Sequence, residues 1–229
     1  MLTVSVWILF SLLLTTFILL LGERFGSSFV ISVYTALIVM AQVFAGKLVV
    51  FGPWVVPAAV IVYAVSFLIT DALNEFYGRE EATKAVFSGF AGSILLVAGI
   101  QIVLAWQPAG FWEGQEAFVQ TLGFTWRIVI ASLISYLVSQ NWDIHIFNEI
   151  KRKTRGEKLW LRNCLSTISS QFIDTILFIL IAFLGVLPLN VVLGMVIGQY
   201  MVKLIIALFD TPFLYFMRLF YPERRYHED

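Results

Sequence analysis

Residues 164–186, CLSTISSQFIDTILFILIAFLGV, run for 23 positions with one charged side chain, Asp174. A helix needs about 20 apolar residues to cross a hydrocarbon core ~30 Å thick. The stretch has that length, and a carboxylate inside it is costly enough to require a partner, a cavity or a function. The same pattern recurs along the chain. Of 229 residues, 60% are hydrophobic and only 13% charged, whereas soluble domains run at about 45–50% and 25%. The polar surface that would keep this chain in water is missing.

Six further spans are expected. Residues 4–21 form the first, closed by Gly22, Glu23 and Arg24, with no charged segment before it and no clear small-residue cleavage site after it. It is predicted to be a retained helix rather than a cleaved signal. The second covers 29–45 and ends at Gly46-Lys47. The third begins near Phe51, takes Pro53 in its first turn and a bend at Pro57, and passes Thr70 into a polar extension ending at Gly78. The fourth covers 85–106. The connection after Pro108 carries Glu113 and Glu116 and is read as an external loop with a short interfacial piece. The fifth covers 125–146, the sixth is the stretch quoted above, and the seventh covers 189–209, prolonged by Phe and Tyr toward Tyr221. The expected fold is an all-α, polytopic membrane helix bundle of seven transmembrane helices.

Basic residues give the orientation. With the C-terminus cytoplasmic, twelve of the fifteen Lys and Arg fall on the cytoplasmic side: Arg24, Arg79, Lys84, six between 151 and 162, and Arg218, Arg224 and Arg225. The outer side holds only Lys47, and Arg127 and Lys203 lie within spans. This asymmetry predicts a multi-pass cell-membrane protein with the N-terminus outside and the C-terminus in the cytoplasm. The basic run at 151–158 reads as a topology determinant beside acidic head groups, so no nucleic-acid partner is expected. One Cys, Cys164, allows no intramolecular disulfide, and no metal spacing or phosphate loop is present. No cofactor or metal is expected, and no nucleophile–base constellation suggests an enzyme.

Polar groups inside spans are the candidate site residues. Asp174 shares a face with Gln171 and Ser170, three and four positions earlier. This stripe is either an interhelical hydrogen-bond cluster or a substrate or ion site. The seventh span offers Gln199, Tyr200 and Lys203, with Lys203 a candidate ion-pair partner for Asp174. Gly194 and Gly198 form a small-xxx-small pair suited to the approach of another helix. Asp71, Asn74 and Glu75 share one face at the end of the third span, as a solvated helix end or as a binding face. Asp143 and Phe147 share a face in the fifth span, and Arg127 near its outer end can snorkel. Phe67, Tyr136 and Tyr200 are available for stacking. Carboxylates and amides among aromatic rings suit a planar, neutral or cationic nitrogen heterocycle better than a phosphate or sugar acid. The expected partners are such a small molecule and the lipid bilayer.

TDALNEFYG at 70–78, DIHIFNEIK at 143–151 and LRNCLSTISSQFIDTILFILIAFLG at 161–185 resemble the queuosine precursor transporter family, also grouped with vitamin-uptake transporters. The resemblance extends over about residues 31–215. It implies a six-helix core importing 7-deazaguanine bases across the plasma membrane. It puts Thr70, Asp71, Asn74, Glu75, Asp143, Asp174, Thr175 and Lys203 on family motif positions. Residues 1–27 are then an additional N-terminal transmembrane helix, 28–221 the core and 222–229 a cytoplasmic tail. A 7-deazaguanine offers ring N–H and amino donors to carboxylates, and an aminomethyl group would add a charge suited to an acidic site. The alternative is the substrate-binding subunit of an energy-coupled vitamin or base transporter, with a membrane enzyme or scaffold behind it.

Overall fold

The helices follow the long apolar runs, and Gly26, Gly78 and Pro188 stand at breaks between successive elements. The computed structural model describes the backbone of residues 2–154 and 159–217 and most of their side chains. Eight helices occur among the described residues: α1 (Leu2–Phe25), α2 (Ser27–Phe44), α3 (Val60–Tyr77), α4 (Arg79–Ala105), α5 (Gln115–Leu122), α6 (Thr125–Lys153), α7 (Leu159–Phe183) and α8 (Leu189–Met217). Seven of them are long and form the bundle. The eighth, α5, is the short piece expected in the loop after Pro108. Four helical stretches among the described residues are long and apolar enough to cross a membrane: Ser27–Phe44, Arg79–Ala105, Gln115–Ser139 and Leu189–Ile206. The third of these takes in α5 and the first half of α6. Shorter apolar segments, Val60–Thr70 and Ile168–Phe183, lie in α3 and α7.

The third span does not begin at Phe51. Leu48–Phe51 (β1) and Trp54–Pro57 (β2) pair antiparallel, Leu48 opposite Pro57 and Phe51 opposite Trp54, and α3 starts only at Val60. Pro53 and Pro57 therefore sit in a hairpin rather than in a bent helix, two four-residue strands beside a bundle that is all-α as expected. The physical reason lies in the residues: β-branched Val49, Val50, Val55 and Val56 flank Gly52-Pro53, and Gly52 takes φ 59°, which a two-residue hairpin turn requires. The Ala58 N–H donates to the Lys47 carbonyl at 2.7 Å, closing the base. Val56 of β2 is fully buried, while Val50 of β1 is exposed.

The hairpin packs on α8. A Cβ at Gly198 would lie 2.6 Å from the Trp54 Cβ, whereas one at Gly194 would meet nothing within 4 Å. The small-xxx-small pair therefore seats a strand at one of its two glycines, not a helix at both. Elsewhere α4 lies close on α2, where Gly89 faces Tyr34 and Ile38 and Gly92 faces Thr35 and Val39. Arg127 is partly exposed and reaches the end of α7. Its Nε donates to the Ile181 carbonyl at 2.7 Å and its Nη2 to the Leu184 carbonyl at 2.5 Å, filling acceptors left open at the end of α7.

One core joins α1, α2, α3 and α8 around Leu68, Ile69, Leu73, Val202 and Ile206. A second joins α6, α7 and α8 around Ala131, Ile179, Val192 and Met195. Ala41, Ala45, Ala59 and Ile128 bridge between α2, α3 and α6. Phe87, Leu95, Ile102 and Ile197 instead point outward and are more than half exposed, as lipid-facing side chains are. At one end of α4, Glu80 and Glu81 occupy the first turn, where the helix dipole favours them. The Lys84 ammonium lies 2.7 Å from the Glu81 carboxylate, a pair one turn apart on the same helix.

Candidate functional site

A small cavity lies where α2, α3, α6, α7 and α8 converge beside the hairpin. Gln42, Tyr63, Ser132, Ser135, Asp174, Gln199 and Lys203 supply its polar lining. Asp174 and Lys203 are each only 5% exposed. Lys203 Nζ lies 2.6 Å from Asp174 Oδ2. Desolvating either charge alone would be prohibitive, and the short contact makes their burial together possible. The Lys203 ammonium also lies 5.4 Å from the centre of the Tyr63 ring, within cation–π range. The other carboxylate oxygen accepts from Ser139 Oγ at 3.4 Å. That bond is long, so Oδ1 keeps capacity for a better donor.

Gln199 sits one turn before Lys203 on α8 and is also 5% exposed, yet its Oε1 has no hydrogen-bond partner. An unmet amide carbonyl at such depth costs about 1–3 kcal/mol, a cost that an entering N–H donor would remove. Gln42 on α2, also in the lining, is 3% exposed. Its Nε2 donates to Ser132 Oγ at 3.3 Å and to Ser93 Oγ at 3.5 Å, both long. Phe178 adds a second ring to the wall. The cavity thus holds a charge-balanced ion pair, one unmet acceptor, one weakly engaged donor and aromatic faces. Such a lining suits a flat, polar, uncharged ring.

Of the residues singled out from the sequence, Asp174, Gln199 and Lys203 line the cavity. Gln171 does not. Its Oε1 is buried without a partner on α7, outside the lining. Tyr200 is spent between helices, donating to the Ile168 carbonyl at 3.3 Å and meeting the Phe172 ring edge-on at 5.2 Å. Tyr136 packs edge-on against Phe90 at 5.1 Å. The side chains of Phe67, Asp71, Asn74, Glu75, Asp143 and Phe147 lie outside the described residues. Gln42, Tyr63 and Ser132 were missed. Gln42 carried a usable signal, an amide inside the apolar run Leu37–Phe44, but Tyr63 and Ser132 look like ordinary span residues until the helices are assembled.

The family model described as "Putative vitamin uptake transporter" matches residues 57–217, more than half of the chain. The chain belongs to that transporter family. The matched segment contains Asp71, Asp143, Asp174 and Lys203, while Gln42 precedes it. Among curated relatives, the "Probable queuosine precursor transporter" of Bacillus subtilis (strain 168) is 38% identical over 156 residues, 68% of each chain. The "Queuosine precursor transporter" of Escherichia coli (strain K12) is 30% identical over 117 residues, 51% of this chain and 50% of that one. A "Probable queuosine precursor transporter" of Haemophilus influenzae is 27% identical over 117 residues, 51% of this chain and 47% of that one. The match to these last two thus spans about half their length. No solved structure is similar. Family membership makes this chain a membrane transporter and not an enzyme, and α1, α2 and β1 lie wholly ahead of the matched segment.

Proposed function

We propose that this chain imports a queuosine precursor, a base of the 7-deazaguanine type, across the plasma membrane. The observation that carries the reading is the cavity beside the buried Asp174–Lys203 pair, where an amide acceptor on Gln199 waits for a donor. A 7-deazaguanine is flat and carries an N–H and an exocyclic amino group on one edge, which Asp174 Oδ1 and Gln199 Oε1 suit. The names of the relatives support the same substrate. In this reading Asp174, Gln199 and Lys203 form the central site, Tyr200 ties α8 to α7 beside it, and Gln171 is a further polar group on α7 available to the ligand. Asp71, Asn74, Glu75 and Asp143 supply polar contacts nearer the cytoplasmic end. Seven crossings, with the N-terminus outside, follow from the basic residues on alternate loops. Residues 28–221 then form the transport core and 1–27 an added helix.

The test is uptake of a labelled 7-deazaguanine base by cells deprived of their own importer, with and without this chain, followed by the purified protein in liposomes. Uptake should depend on the chain in both settings. Folded protein that neither binds nor moves any such base overturns the reading. Uptake in cells but not in liposomes would point to an energising partner, as the alternative of a substrate-binding subunit requires.

A further inference from the structure

The ion pair is the loudest feature of the cavity, yet it is poorly suited to telling one base from another. Asp174 and Lys203 cancel each other at 2.6 Å, so a ligand meets little net charge there. What remains are two neutral amides on different helices. Gln199 Oε1 on α8 is buried without a partner. Gln42 Nε2 on α2 is split between two serine oxygens at 3.3 and 3.5 Å, and is free to shorten onto a better acceptor. Both side chains are at least 95% buried and line the same cavity. Tyr63 and Phe178 supply flat surfaces in the same lining.

We propose that Gln42 and Gln199 form an amide clamp that reads the two edges of the base, and that Gln42 is a specificity-determining residue. Gln199 Oε1 accepts from the amino edge of the ring, and Gln42 Nε2 donates to the ring carbonyl. This rests on the reading of the chain as a 7-deazaguanine carrier. A site built to pair a polar group discriminates strongly against a ligand lacking it, because its own buried partner is then left unmet. The ion pair holds α7 to α8 and lends one carboxylate oxygen, while the amides choose the ligand.

Three ligands separate the two edges: the parent 7-deazaguanine, its analogue without the 2-amino group, and its 6-thioxo analogue, which keeps every N–H but offers a weaker acceptor. Binding to folded, detergent-purified protein should favour the parent over each analogue by about tenfold. Gln42→Met should erase the preference against the thioxo ligand and keep the preference against the des-amino ligand. Gln42→Glu, which keeps the size and replaces the donor with an acceptor, should erase the same preference. Gln199→Met should do the reverse. The clamp is overturned if the variants keep both preferences, or lose affinity for all three ligands in parallel while folded. If folded wild-type protein binds none of the three, the proposed carrier function itself fails and the clamp with it. If the parent binds and the preferences do not separate, only the clamp fails.

Discussion

Removing one member of the Asp174–Lys203 pair leaves a buried charge without its counter-charge, and breaking such a pair costs about 3–5 kcal/mol. Asp174→Asn and Lys203→Met should each lower the melting temperature in detergent. The double variant should recover part of the loss, because the residual charge disappears. Simple additivity of the two losses would mean that the contact is not energetically coupled. Arg127 offers a contrasting case. Arg127→Met removes two bonds to carbonyls at the end of α7 and should cost about 1–3 kcal/mol in thermal stability, without changing ligand preference. Asp174 and Lys203 were visible in the sequence because a charge within an apolar run stands out. The partners of Arg127 were not visible, because they are backbone carbonyls 54 and 57 residues away.

Elements were easiest to read where they were long and uniform. Six of the seven expected spans each fall on a helix, but boundaries differ: α4 starts at Arg79, six residues early, α6 runs to Lys153, seven residues past its expected end, and α8 to Met217, eight past 209. The exception is the segment from Phe51 to Pro57, where a short apolar run with two prolines was absorbed into the following helix. Length arbitrates between strand and helix, and these seven residues were too few to be a helix of their own. The hairpin gives Gly198 its importance. Gly198→Ala puts a Cβ 2.6 Å from the Trp54 Cβ and should displace the hairpin, reducing both thermal stability and ligand uptake. Gly194→Ala, into open space on the same helix, should be neutral or stabilise by up to about 1 kcal/mol. Equal effects of the two substitutions on melting temperature would contradict the packing of the hairpin on α8.

For the whole molecule, the basic residues predict which loops face which side. Reporter fusions after residues 47 and 110 should report the outside, and those after 156 and at the C-terminus the cytoplasm, with the N-terminus opposite the C-terminus. Both termini on one side would remove the odd number of crossings. Composition and charge order determine the membrane bundle and its expected sidedness, because burial of a span and retention of Lys and Arg depend on local sequence alone. The sequence also determined that Asp174, Gln199 and Lys203 deserved a role, since each is a polar group in an apolar helix. Only the tertiary structure decided that these three meet in one cavity, that Gln171 and Tyr200 stay out of it, and that Gln42 on α2 joins its lining. Those outcomes depend on the relative rotation of helices distant in sequence, which is set by packing such as Gly89 on Tyr34 and Gly198 on Trp54. No single helix carries that information in its own pattern.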